Sequence, residues 1–149
     1  LLDRGFAAKQ VTPTEKNFGM LANAWIMARE YDKAEVAMAR AAAASDKGEL
    51  FKRLGQIQIE NENWKAATES FKKAQQKGGL KDPGETAFLL GVCAFNLRQW
   101  DLAEKSFRAA MTHEKSAKMA AEWLNHLQAE IAYINANEAA DKNGDTKTN

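Results

Sequence analysis

The sequence has little cysteine, little proline, no long apolar run and almost no net charge. Its single cysteine, Cys93, excludes an intrachain disulfide. Only two prolines, Pro13 and Pro83, interrupt 149 residues that are rich in helix-forming types, which indicates a helical chain. No apolar stretch approaches the roughly 20 residues of a membrane span. With 21 basic against 20 acidic residues, the net charge of +1 argues against nucleic acid or an anionic membrane as the main partner.

The sequence contains an internal repeat. Three segments carry an aromatic residue, an alanine, a bulky apolar residue and an alanine at offsets 0, 3, 7 and 10, namely residues 31–41, 64–74 and 100–110. Those offsets place all four side chains on one stripe of a helix. From Tyr31 to Trp64 is 33 residues, and from Trp64 to Trp100 is 36. The longer interval is explained by the Gly78–Asp82 loop, where insertion costs little.

A second helical pattern precedes each of these segments and ends in a short polar turn. It is centred on a leucine followed by a small residue: Leu21-Ala22, Leu54-Gly55 and Leu90-Gly91. The small residues let two antiparallel helices approach closely. The order Asp82-Pro83-Gly84-Glu85 supplies a helix start, with an N-cap, a first-turn proline and a reciprocal Glu. The sequence therefore predicts helix pairs at about 13–29 with 32–44, 49–60 with 63–77, and 83–97 with 100–112.

The two ends of the chain differ from the repeats. Residues 116–138 predict one long helix with apolar residues on one face and polar residues on the other, as a terminal capping helix requires. The polar residues 139–149 predict a disordered tail. Residues 1–10 match the end of a preceding repeat, so we expect the chain to be part of a longer protein.

The repeat resembles the tetratricopeptide repeat (TPR), which has a period of 34 residues. The pattern around Leu54-Gly55 and Leu90-Gly91 is similar to the family's Trp-x2-Leu-Gly-x2-Tyr signature. The resemblance implies an all-α fold, a right-handed α-solenoid of three TPR helix pairs plus a long C-terminal capping helix. It also implies one domain over 1–138, with repeats at 13–45, 48–78 and 83–112.

In this family the first helices line a concave groove that binds a partner. Carried over by register, the candidate groove residues are Asn23, Ile26, Met27, Lys52, Gln56, Ile59, Phe88, Val92, Phe95 and Asn96. The same register also gives Lys16, Gly19, Glu49, Glu60 and Glu85. For Ile26, Ile59, Val92 and Phe95, packing between helices is the alternative. We expect Phe88, Val92 and Phe95 to face the groove as apolar anchors, because other residues supply the packing stripe of their helix.

At a finer level, residues 1–130 resemble the C-terminal repeats of bacterial proteins encoded beside TonB–ExbB–ExbD systems. The resemblance is carried by Lys16–Leu21, Tyr31–Ala34, Gly48–Phe51 and Gly78-Gly79-Leu80-Lys81-Asp82-Pro83-Gly84. It implies a periplasmic scaffold that supports energy transduction for uptake across the outer membrane. The sequence by itself leaves a cytoplasmic location open.

The residue types that could take part in catalysis or bind a metal do not form a predicted catalytic, cofactor or metal site. Asp141, Asn143 and Asp145 look like the opening of an EF-hand, but Thr146 occupies the sixth position where the loop needs glycine. Cys93 sits within a helical pattern, with no sign of a base beside it. We therefore expect no enzyme activity, no cofactor and no metal.

Two functions fit this organisation. The first is a scaffold that binds a protein or peptide segment in the groove, and the alternative is a structural spacer or self-assembly element whose groove holds no peptide. Self-association is possible through the N-terminal face, since Leu1, Leu2 and Phe6 would lack a neighbouring repeat. Neither function calls for nucleic acid or membrane insertion.

Overall fold

The computed structural model describes residues 15–145. Within that range the chain forms seven α-helices and no strand, which confirms the prediction of an all-α chain. The helices are α1 (Glu15–Met27), α2 (Tyr31–Ala43), α3 (Gly48–Glu60), α4 (Trp64–Lys77), α5 (Pro83–Asn96), α6 (Trp100–Met111) and α7 (Glu114–Asp145). The predicted remnant helix at 1–10 lies outside the described residues.

Each helix packs against the next one along the chain. α1 packs on α2, α3 on α4 and α5 on α6, and the pairs are joined by contacts of α2 with α3 and of α4 with α5. α7 lies against both α6 and α5. The core is therefore a row of apolar clusters between successive helices, which is a helical-repeat arrangement.

The turn inside each helix pair has the same backbone conformation. Arg29, Glu62 and Arg98 have φ angles of 58°, 55° and 57°, in the left-handed region that residues other than glycine seldom adopt. The next N–H then donates to a carbonyl five residues back, as Asn63 N does to Gln58 O at 2.8 Å. This is the hydrogen bond that closes a Schellman helix end. The three turns therefore repeat in backbone conformation as well as in sequence pattern, although none of them has glycine at the left-handed position.

A small residue on the first helix meets a large one on the second helix of each pair. A Cβ atom added to Gly91 would lie 2.6 Å from the Phe107 ring, and one added to Gly55 would lie 2.8 Å from the Phe71 ring. Both phenylalanines are completely buried. The first pair has Ala22 and Met38 at the equivalent positions, also fully buried. In the first pair, alanine therefore replaces glycine on the first helix, and the more flexible methionine replaces phenylalanine on the second.

This close approach makes a specific prediction about two glycines. Gly91→Ala should lower the free energy of unfolding by about 1–3 kcal/mol, because overpacking against Phe107 outweighs the better helix propensity of alanine. Gly19→Ala is the matched control, since an added Cβ there meets nothing within 4 Å. It should raise stability by about 0.5–1 kcal/mol. Thermal unfolding of both variants followed by circular dichroism tests this pair, and a Gly91→Ala protein that melts at or above the parent contradicts it.

The last helix is longer than the sequence analysis predicts. α7 begins at Glu114 and ends at Asp145, so it takes in residues 139–145, which we expected to belong to a disordered tail. Alanines at 136, 139 and 140 have high helix propensity and extend the helix beyond its packed part. Residues 135–144 are exposed. Residues 146–149 lie outside the described part of the chain.

Candidate protein-binding groove

The first helices of the first two pairs, α1 and α3, border an open groove. A cavity of about 150 Å³ lies there, and its lining residues are Ile26, Tyr31, Arg53, Gln56, Ile57 and Glu60. Ile57 is buried, Ile26 and Tyr31 are half-buried, and Glu60 is exposed. The groove therefore combines an apolar floor with a polar rim.

Two rows of side chains, one on α3 and one on α1, have the same helical spacing. On α3, Arg53, Gln56 and Glu60 follow one another at intervals of three and four residues, and all three line the cavity. On α1, Met20, Asn23 and Met27 repeat those intervals, which places them on one face of the helix. Met27 is 87% exposed and Met20 is 49% exposed. Exposed methionines form adaptable apolar surface and are common where proteins bind partners.

A hydrogen bond joins the two rows. Arg53 Nη2 on α3 donates to Asn23 Oδ1 on α1. A guanidinium has five N–H donors and an amide has both donors and an acceptor. With Gln56 one turn along from Arg53, the groove holds two amides and a guanidinium, which are suited to the N–H and C=O groups of an extended chain.

Of the ten groove residues predicted from sequence, Ile26 and Gln56 line this cavity, and Asn23 accepts a hydrogen bond from Arg53, which also lines it. Met27 is exposed on the helix that carries Ile26. Arg53 and Tyr31 were missed, because the register of the resemblance does not include them. The interval of three residues between Arg53 and Gln56 was the available signal. Asn96 is exposed on a different helix, where its side chain donates to Val92 O at 2.9 Å.

Lys52 and Ile59 do not line this groove. Lys52 is only 5% exposed. Its ammonium forms an ion pair with Glu85 of α5 and lies 4.0 Å from Glu49 of its own helix. Ile59 packs against the buried cluster that contains Ala67, Phe71, Leu90 and Cys93. Both side chains therefore join the second helix pair to the third rather than facing a partner.

The three predicted apolar anchors lie beneath α7, which corrects the expectation that they face the groove. Phe88, Val92 and Phe95 all pack against the cluster that contains Leu124 and Leu127 of α7. The Phe88 and Phe95 ring centroids lie 6.1 and 5.5 Å from that of Trp123. The physical reason is that α7 lies on α5 as well as on α6, so it covers the face on which we expected a partner.

Comparisons with known proteins support the fold. No model of a known protein family matches the sequence, and no curated protein matches it. Among solved structures, a chain from the crystal structure of a T3SS complex from Aeromonas hydrophila is similar, with a TM-score of 0.69 and 16% sequence identity. The similarity covers 86% of this chain and 89% of that one. At this identity it shows a shared all-α, helical-repeat fold, while the TonB-associated resemblance and the periplasmic location stay predictions.

The one cysteine lies apart from the groove, in the core between α4 and α5. Cys93 is completely buried, and this burial raises the pKa of its thiol to about 12. Its thiol therefore stays protonated at neutral pH and is a poor nucleophile. Residues 15–145 contain no group of three or more His, Cys, Asp or Glu side chains placed to hold a metal ion. In the same range no helix is long and apolar enough to cross a membrane.

Proposed function

We propose that the chain is a TPR-type interaction module, a right-handed solenoid of helix pairs that holds a segment of a partner protein in the groove between α1 and α3. The observation that carries this proposal is the groove with its apolar floor, lined along α3 by Arg53, Gln56 and Glu60 and bridged to α1 by the hydrogen bond between Arg53 and Asn23. An extended segment offers backbone groups for Asn23, Arg53 and Gln56. It also offers an apolar side chain for the floor at Ile26 and Ile57.

Two further observations support protein partners. The similar solved chain comes from a T3SS complex, so the same fold serves in a protein assembly there. The net charge of +1 over 149 residues favours a protein over nucleic acid as the partner of this chain.

The proposal also includes the cellular location of the chain and the system in which it works. The Gly78-Gly79-Leu80-Lys81-Asp82-Pro83-Gly84 loop resembles that of repeat proteins encoded beside TonB–ExbB–ExbD systems. We therefore place the module in the periplasm, as a scaffold for a TonB-type system. We assign it no catalytic activity. Burial raises the pKa of the Cys93 thiol to about 12, so this side chain is a poor nucleophile.

The groove is tested by a double substitution on α3. A partner is first captured with the whole protein and identified by mass spectrometry, and its affinity is then measured by calorimetry. Arg53→Glu with Gln56→Ala should weaken binding by about 2 kcal/mol, roughly 30-fold, because the charge of the rim is reversed and an amide is lost. The melting temperature should change little, since Arg53 is bonded to the exposed side chain of Asn23.

A matched control makes the same two kinds of change on α4. Lys65→Glu with Gln75→Ala alters exposed side chains outside the groove and should leave affinity unchanged. If the groove variant folds normally and still binds like the parent, the partner docks elsewhere. If no protein binds the parent specifically, the alternative role as a structural spacer replaces this proposal.

A further inference from the structure

Arg53 and Glu60 are the charged residues among those that line the cavity between α1 and α3. Arg53 is half-buried and donates to the neutral amide of Asn23. Within residues 15–145, neither Arg53 nor Glu60 forms an ion pair. Lys52 is the contrast, since its charge is paired with Glu85 of α5. The groove therefore presents one positive and one negative charge that no described side chain neutralises.

These two charges lie on either side of the apolar floor. Arg53, Ile57 and Glu60 follow one another at intervals of four and three residues, which places them on one side of α3. At about 1.5 Å per residue, the two charged positions are about 10 Å apart along the helix. Ile57 is buried and lies between them, where it lines the cavity together with Ile26. Along α3 the groove thus presents a positive, an apolar and a negative group in that order.

The width of the groove favours an extended partner segment over a helix. The hydrogen bond from Arg53 to Asn23 joins α3 to α1 directly, and the cavity measures only about 150 Å³. A helix with its side chains is about 10–12 Å across. In an extended segment every second side chain points to the same side, at a rise of about 3.3 Å per residue. Its first, third and fifth side chains span about 13 Å, and the long side chains of Arg53 and Glu60 can cover the small difference from the spacing on α3.

We propose that the groove selects an extended segment whose first, third and fifth side chains are acidic, apolar and basic. The carboxylate pairs with Arg53, the apolar side chain lies on Ile57, and the basic side chain pairs with Glu60. Complementary charges of this kind determine which segments bind. The inference rests on the proposed function, which requires a bound segment but leaves its charges unspecified.

The first test selects peptides without assuming a pattern. A phage-displayed library of random twelve-residue peptides is selected on the immobilised full-length protein. The enriched peptides should share an acidic, an apolar and a basic residue at alternate positions, in either chain direction. They should bind the variant with Arg53→Glu and Gln56→Ala at least about 10-fold more weakly than the parent.

The second test exchanges the charges. Three labelled peptides with the cores Glu-Ser-Leu-Ser-Lys, Glu-Ser-Leu-Ser-Glu and Lys-Ser-Leu-Ser-Lys are compared by fluorescence anisotropy. The parent should prefer the mixed peptide by about 10-fold, Glu60→Lys should prefer the peptide with two glutamates, and Arg53→Glu the peptide with two lysines. Lys65→Glu and Glu122→Lys make the same charge changes at exposed positions outside the groove and should keep the parent's preference.

The outcomes separate this inference from the proposed function. Enriched peptides with another pattern, including charges seven residues apart as on a helix, overturn the inference if the Arg53 and Gln56 changes still weaken them. Peptides that bind this variant as well as the parent, or no enrichment at all, overturn both. An unchanged preference in Glu60→Lys and Arg53→Glu also overturns the inference, with circular dichroism as the check on folding. If either variant does not fold, Glu60→Gln or Arg53→Gln replaces it and should abolish the preference for the mixed peptide.

Discussion

A chain that ends at Thr112 should aggregate or lose most of its stability. It lacks α7, whose Ala120 and Leu127 are completely buried and whose Leu124 is 7% exposed. Burying each leucine contributes about 1.5–3 kcal/mol. Removal of α7 would also uncover Phe88 and Phe95, which pack against Trp123. Together these lost contributions are comparable with the whole free energy of unfolding of a typical domain, roughly 5–15 kcal/mol.

A chain that ends at Glu138 is the matched control for this truncation. It removes residues 139–149, of which the described side chains at 139–144 are exposed, so it should stay soluble and melt within about 2 °C of the parent. The measurement is soluble yield followed by thermal unfolding of both truncated proteins. A soluble 1–112 protein with an unchanged melting temperature would show that α7 does not cap the repeats.

The second large effect is expected from Phe88→Ala combined with Phe95→Ala. These rings contact Phe107, Trp100 and Trp123, at centroid distances of 5.5–6.1 Å. Their truncation should lower the free energy of unfolding by about 3–5 kcal/mol, the usual range for loss of a large aromatic side chain from a core. The melting temperature should fall by about 10 °C or more. Urea unfolding with linear extrapolation measures the loss.

Met20→Ala with Met27→Ala is the control for the aromatic pair. Both methionines are exposed on α1, so this variant should keep the parent's stability. If the phenylalanine variant instead keeps full stability and loses binding to a partner, the two rings are the groove anchors that the sequence predicts. The contacts of these two rings with α7 would then contribute little to the stability of the protein.

The sequence by itself determined where most helices lie and how the two helices of a pair meet. The predicted limits of α2 to α6 agree with the structure to within two residues. These features depend on local information. Side-chain spacing defines the packed stripe of each helix, and Asp82 caps α5 by accepting from Glu85 N at 2.9 Å. The repeated pattern also predicts close helix approach at Gly55 and Gly91, and the structure shows that Phe71 and Phe107 are the side chains that pack there.

Only the tertiary structure decided which of these faces stay open. Helical periodicity shows that Phe88, Val92 and Phe95 share a face, but it does not show what lies over that face. That depends on the position of α7, whose Trp123 packs on Phe95 from 28 residues further along the chain. Gln58 is a similar case, since it occupies the position of the tyrosine in the tetratricopeptide signature that this sequence resembles. It can be buried because its amide donates to Glu35 of α2 and accepts from Ser70 of α4. Long-range packing determines such partners, and local sequence spacing contains no record of it.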